Sequence, residues 1–172
     1  MIKRILGVAC LAAALLAPPS YADFNAGLDA YEKGDYTTAL KEWTTLAEQG
    51  NAFVQYIIGT MYANGQGVRQ DDQKAVEWFT KAALQGVANA QNSLGAMYAE
   101  GRGVQQDDQK AVEWYTKATL QGNADAQFNL GVMYFNGDGV RQSDAIAKEW
   151  FGKACDNGLQ EGCKKYARLN KR

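Results

Sequence analysis

The 172-residue chain contains no histidine. That removes His-based triads, zinc–histidine sites and a histidine general base. Beyond residue 22 the only serines are Ser93 and Ser143. Neither begins Ser-x-x-Lys, and no Ser-Asp-Asn or Lys-Thr-Gly follows, so the penicillin-recognising serine constellation is absent. Asp71-Asp72 and Asp107-Asp108 are adjacent carboxylates, a pairing that can hold a metal or share a proton. They lack calcium-loop spacing and recur where helices should start, so capping is the expected role. Gly65/Gly67, Gly101/Gly103 and Gly137/Gly139 lack the third glycine and the Lys-Ser/Thr of a phosphate-cradling loop; they read as helix stops. No catalytic residue, no metal and no cofactor is expected.

Three cysteines remain. Cys10 lies in a segment that reads as a secretory signal: Lys3 and Arg4 are basic, Ile5 to Ala17 is apolar, and Pro18-Pro19 ends it. Ser20 and Ala22 place small residues at the −3 and −1 positions, so cleavage is expected after Ala22, with the mature chain starting at Asp23. A lipidated Cys10 is the weaker alternative, since Gly7-Val8-Ala9-Cys10 is a poor lipobox. No other apolar run is long enough to span a bilayer. Losing the signal leaves 16 basic against 19 acidic residues, a net charge of −3. That argues against nucleic acid and anionic membrane, which need a basic patch. Cys155 and Cys163 form an even pair in an oxidising compartment, periplasmic or secreted, and read first as a disulfide.

The elements that would position these residues are dictated by a repeat. Residues 50–85, 86–121 and 122–157 align without a gap, the first two blocks being identical at two-thirds of positions. Each block reads as helix, glycine loop, helix. In the first, helix A is expected from about Ala52 to Ala63, with Ala52, Gln55, Ile58, Gly59 and Tyr62 on one face. Helix B should run from Asp71 or Asp72 to about Leu84, with Ala75, Trp78, Phe79 and Ala82 as its apolar stripe. Glu77/Lys81, Glu113/Lys117 and Glu149/Lys153 are spaced for ion pairs. Gly59, Gly95 and Gly131 sit in mid-helix at about 1 kcal/mol against Ala, which implies close approach there. Residues 23–49 form a shorter unit of the same kind, and 158–172 a lone helix that caps the stack. The fold expected is all-α, a right-handed α/α superhelix or solenoid of stacked helix–loop–helix repeats.

Ala90 to Val104 and Lys110 to Gly122 carry A-x-x-x-L-G-x-M-Y-x-x-G-x-G-V and K-A-x-x-W-[FY]-x-K-A-x-x-x-G. These motifs resemble the Sel1-like repeat family, a relative of the tetratricopeptide repeat, over nearly all of residues 23–172. The unit at Gly27 to Trp43 looks closer to a plain tetratricopeptide repeat. Block three departs at Ile146, Lys148 and Gly152, where blocks one and two have Lys, Val and Thr; these changes are expected to loosen its second helix. The Cys155–Cys163 spacing resembles the secreted Helicobacter cysteine-rich proteins, in which such pairs bridge neighbouring helices. By alignment Cys155 takes the place of Ala83 and Thr119, and Cys163 that of Gln91 and Gln127, positions that should face each other across a turn. The spacing is not the C-x-x-C of redox-active pairs.

The resemblance implies a scaffold that holds a protein or peptide partner. The candidate groove is the stripe on which helix A changes from block to block at i, i+4, i+7 and i+11. It comprises Phe53, Ile57, Thr60 and Asn64, then Asn89, Ser93, Ala96 and Glu100, then Asp125, Asn129, Val132 and Asn136. An equal reading of this stripe is solvated surface free to drift, and for Phe53 and Ile57 a further one is packing under the first helix pair. Other readings are a β-lactam-binding or cell-wall-acting protein, which rests on family analogy alone, and a structural subunit of an envelope export complex.

Overall fold

The computed structural model describes residues 21–171, with side chains from Phe24 onward. The basic and apolar parts of the expected signal lie outside the described residues. Helices follow in antiparallel hairpins: α1 (Tyr21–Glu32) with α2 (Tyr36–Glu48), α3 (Ala52–Asn64) with α4 (Asp72–Leu84), α5 (Ala88–Glu100) with α6 (Asp108–Thr119), and α7 (Ala124–Asn136) with α8 (Asp144–Asp156). α9 (Gln160–Leu169) closes the stack on α8. No strand occurs among the described residues. Each helix packs mainly on its neighbours in sequence, the quasi-one-dimensional arrangement of a solenoid.

Local chemistry sets the helix ends. Asp71 and Asp107 accept from the backbone N–H of Lys74 and Lys110 at 3.0 Å, and Ser143 does the same for Ile146 at 3.3 Å, each occupying an otherwise unpaired donor. The first aspartate of each Asp-Asp pair is therefore the cap. The second, Asp72, is free to take Arg102 of the next repeat, Nη2 to Oδ1 2.8 Å. That bond raises the Arg102 pKa above its usual value.

The core is built of rings on glycines. A Cβ on Gly59 would lie 2.6 Å from Cδ1 of Phe79, and on Gly95 or Gly131 2.8 Å from Tyr115 or Phe151. The mid-helix glycines thus admit an aromatic ring from the partner helix of the same hairpin, where the sequence suggested only close approach. The second glycine of each loop does more than stop a helix. Gly103 and Gly139 have φ +68° and +65° and press against the backbone of Asp72 and Asp108, at the start of the preceding B helix. Repeat joins repeat there.

The tryptophans differ from expectation. Trp43 is fully buried, but Trp78, Trp114 and Trp150 are half-buried and each reaches back onto the apolar cluster of the preceding unit. On the outer ring faces lie Lys81, Lys117 and Lys153, 3.9, 3.9 and 4.0 Å from the centroids. These are the lysines expected to pair with Glu77, Glu113 and Glu149; cation–π stacking on a half-buried indole takes the place of an exposed ion pair.

Candidate functional site

The helix A stripe runs along one face of α3, α5 and α7, and its exposure is graded. Residues at its ends, Phe53, Asn64, Asn89, Glu100, Asp125 and Asn136, are exposed; Ile57, Thr60, Ser93, Ala96, Asn129 and Val132 are half-buried. Phe53 is 55% exposed although it is a phenylalanine.

Seven of the twelve residues line two open cavities. The first, of about 240 Å³, is bounded by Phe24, Leu28, Tyr31, Trp43, Phe53, Tyr56, Ile57 and Thr60. Its polar groups are three hydroxyls and one indole N–H, and the indole already donates to the Phe24 carbonyl at 3.1 Å. The second, of about 220 Å³, lies between α3 and α5 and includes Thr60, Asn64, Ser93, Ala96, Glu100 and Arg102. Tyr56 and Thr60 belong to both. The two hollows therefore share a wall, and the trough they make up is apolar at the α1 end and polar at the α5 end.

The remaining ladder residues line neither cavity. Asn89 accepts from Asn123 at 2.8 Å and Asn129 donates to Asn92 at 3.1 Å, so part of the stripe ties repeats together. The α1 and α2 walls, Phe24, Leu28, Tyr31 and Trp43, were missing from the sequence reading because they lie outside the 36-residue alignment. Their aromatic content was the available signal.

The trough has little with which to act as a nucleophile. Ser93 has no lysine among the residues around it, and Ser143 is engaged as the α8 cap. Among the described residues no group of His, Cys, Asp or Glu could hold a metal ion. Burial, and secondarily Glu100, push the Tyr115 phenol above its usual pKa, so this hydroxyl stays neutral. What the arrangement can do is hold something: apolar surface, hydroxyls, a carboxamide and a carboxylate along a line.

Cys155 and Cys163 are paired, with Cα atoms 4.6 Å apart. Two of the three block-three departures, Lys148 and Gly152, meet α9 nearby. A Cβ on Gly152 would lie 3.2 Å from Cδ2 of Tyr166 on α9. Lys148 donates to Asn170 Oδ1 at 2.5 Å and sits 5.5 Å from the Tyr166 centroid. These two residues seat α9 on α8.

The Sel1 repeat model matches residues 52–87, 88–123 and 124–159. The chain belongs to the Sel1 repeat family. Among solved structures, the Sel1 fold of this chain is similar to c5321, described as a protective antigen present in uropathogenic Escherichia coli strains; TM-score 0.78, 40% identity, over 83% of this chain and 31% of that one. It is equally similar to a Sel1 repeat protein from Oxalobacter formigenes, TM-score 0.78 and 31% identity, over 83% and 59%. Helicobacter pylori cysteine rich protein B follows with TM-score 0.60 and 27% identity, over 76% and 93%. The chain thus spans less than two-thirds of the first two relatives. No curated protein sequence matches it. Sel1 repeat proteins are in general scaffolds for protein–protein interaction, and no helix among the described residues is long and apolar enough to cross a membrane.

Proposed function

We propose that this chain is an exported adaptor that holds an extended segment of a partner protein along the helix A face, in the periplasm or outside the cell. The observation that carries the reading is the row of two adjoining hollows lined by Phe53, Ile57, Thr60, Ser93, Ala96 and Glu100. Concave faces of paired-helix solenoids suit extended ligands, because successive repeats offer side chains at a regular pitch. Export is supported by Lys3-Arg4, the apolar run to Ala17 and the small residues at Ser20 and Ala22, and by a cysteine pair within bonding distance. The likeness to a protective antigen is in keeping with a site outside the cytoplasm.

The test is affinity capture from an envelope extract with the intact chain and with a variant in which Thr60→Arg and Ser93→Arg fill the trough. The reading expects one or more proteins lost from the variant's captures, and undiminished capture rejects it. For export, N-terminal sequencing of native protein should begin at Asp23, and thiol titration should find Cys155 and Cys163 blocked.

A further inference from the structure

We infer that α9 carries a docking site for an anionic phospholipid surface, on which the molecule stands with its last helix down and the rest of the stack pointing away. The site lies apart from the helix A face and does not depend on what that face holds.

Charge is distributed unevenly along the chain. Residues 160–172 hold Lys164, Lys165, Arg168, Lys171 and Arg172 against Glu161, a net +4, whereas residues 23–159 hold 11 basic and 18 acidic residues, a net −7. The overall −3 is the sum of these two unlike parts. The neighbouring charges of α8 do not cancel the excess: with Asp144, Glu149, Asp156, Lys148 and Lys153 included, residues 144–172 hold seven basic against four acidic residues, a net +3. Helical spacing gathers the cations. α9 buries Gly162 and half-buries Cys163 and Leu169, while Lys164, Lys165, Arg168 and Lys171 are all exposed. Lys164, Arg168 and Lys171 follow at intervals of four and three with Lys165 beside them, so they share the face turned away from α8, over about 10 Å of helix. Lys164 reaches Glu161 at 3.8 Å, both exposed, and Arg168 and Lys171 form no ion pair among the described residues. The helix macrodipole accounts for a cation in the last turn, such as Arg168, but not for Lys164 and Lys165 further back.

Such a face suits a broad sheet of anions. The four cations stand outside the hollow between α8 and α9, which is lined by Glu149, Gly152, Lys153, Cys155, Asp156 and Tyr166, so no cleft encloses a small anion. A protein partner would need an apolar centre to the contact. The cationic face has no large apolar residue, because Tyr166 is turned toward Gly152 of α8. Single-stranded nucleic acid would need a ring on which its bases stack, and that face has none. A bilayer of anionic headgroups needs neither, since basic clusters on a helix bind it by charge at its surface. The acidic remainder of the chain is repelled by the same surface, which sets the orientation.

The probe is vesicles of phosphatidylglycerol and phosphatidylcholine in equal parts, compared with phosphatidylcholine alone, at low ionic strength. The protein is the chain from Asp23, which keeps the helical stack without the apolar run of Ile5 to Ala17. Binding is read by co-sedimentation, and circular dichroism verifies helix content. Lys165→Gln, Arg168→Gln and Lys171→Gln are combined in one variant. Lys33→Gln, Lys41→Gln and Arg69→Gln, at three exposed cations elsewhere, remove the same charge in a control. The expected result is binding to the anionic vesicles only, released by added salt as the charges are screened. Each surface cation contributes roughly fivefold to the binding constant, so the α9 variant should bind about a hundredfold more weakly, and the control should bind as the parent does. Arg168→Gln alone should lose about fivefold, a result that does not rest on the triple variant keeping its helix. Equal binding to both vesicles, no binding to either, an α9 variant that binds as the parent does, or an equal loss in the control overturns the site. A DNA duplex and a poly-glutamate peptide are titrated in parallel, and tighter binding to either than to the anionic vesicles overturns the lipid surface as the partner.

Discussion

Gln91 donates its side-chain amide to the backbone carbonyl of Ala83 at 3.1 Å, reaching from α5 back to the end of α4. Gln55 makes the same bond to Ala47 at 2.8 Å. Both pairs are eight residues apart, as are Cys155 and Cys163, which occupy the equivalent positions two repeats after Ala83 and Gln91. The glutamine Oε1 also accepts from the end of the second helix of its own repeat: Gln85 to Gln55 and Gln121 to Gln91 at 2.8 Å, and Asn157 to Gln127 at 2.9 Å. One buried glutamine thus clamps the join to the preceding unit and the hairpin of its own repeat. At the α9 end the clamp is covalent.

Replacing Gln91 with Leu is therefore expected to cost about 1–3 kcal/mol, because the Ala83 carbonyl loses its partner in a buried place. Urea unfolding would measure it. The equivalence gives a sharper test. Ala83→Cys with Gln91→Cys should form a second disulfide on oxidation, detectable as two blocked thiols by mass spectrometry. Failure to close would mean that the two turns are not interchangeable.

The mid-helix glycine offers a contest between two effects of known size. Gly59→Ala gains about 1 kcal/mol of helix propensity, and its Cβ lands 2.6 Å from the Phe79 ring. Overpacking of a filled core costs roughly 1–3 kcal/mol, so the net change should be destabilising. Adding Phe79→Leu to Gly59→Ala should recover part of the loss. Thermal melts of the single and double variants check this, and a stabilised single variant would show that the ring has room to move.

How much of this was legible beforehand depends on where each partner sits along the chain. The helices and their ends follow from a pattern that repeats every 36 residues, so Asp71, Gly65 and Leu84 could be placed from local chemistry alone. What could not be read is contact between blocks. The sequence shows that Gly103 recurs but not that it meets Asp72, which lies 31 positions earlier. It shows Lys81 four residues after Glu77, which suggests an ion pair, while the indole of Trp78 is the surface that Lys81 covers. The stripe of the candidate groove was readable because changes between near-identical blocks stand out on one helix face. Its α1 and α2 walls were not, because residues 23–49 lie outside the alignment that exposed the stripe. Tying Asn89 to Asn123 is likewise invisible to a reading that treats variable positions as free.

The two glycine classes with positive φ can be separated by experiment. Gly122 has φ +77° and nothing within 4 Å of a built Cβ, whereas Gly103 has φ +68° and would drive its Cβ into the Asp72 backbone. Gly122→Ala should cost only the left-handed strain, about 1–2 kcal/mol. Gly103→Ala should cost more, and should also weaken the Arg102–Asp72 contact beside it. Equal losses at the two sites would remove the inter-repeat role assigned to Gly103.

Acid should act through the caps. The backbone N–H of Lys110, donating to Asp107, is the largest influence holding that carboxyl below its usual pKa, with the Lys110 side chain adding to it. For Asp35 the Thr38 hydroxyl comes first and its backbone N–H second. A carboxyl whose folded pKa is depressed contributes stability above its unfolded pKa and loses it as pH falls through the folded value. The Tm should thus fall on acidification across and below the ordinary carboxylate range. Asp107→Asn keeps a capping oxygen but cannot titrate, so it should flatten part of that dependence; Tm measured between pH 6 and pH 2 for parent and variant decides it.

Reduction should act at one end only. The bridge between Cys155 and Cys163 closes a short loop, so its loss is expected to cost about 2–3 kcal/mol. α9 packs mainly on α8, held by the disulfide, Tyr166 against Gly152 and Lys148 against Asn170. Dithiothreitol, or Cys155→Ala with Cys163→Ala, should raise amide exchange across Gln160–Leu169 and leave α3 to α6 protected, because each solenoid unit depends mainly on its neighbours. Hydrogen exchange read by mass spectrometry would show the gradient. Uniform loss of protection along the chain would mean that the stack unfolds as one block, and would contradict the nearest-neighbour packing on which the groove's own rigidity depends.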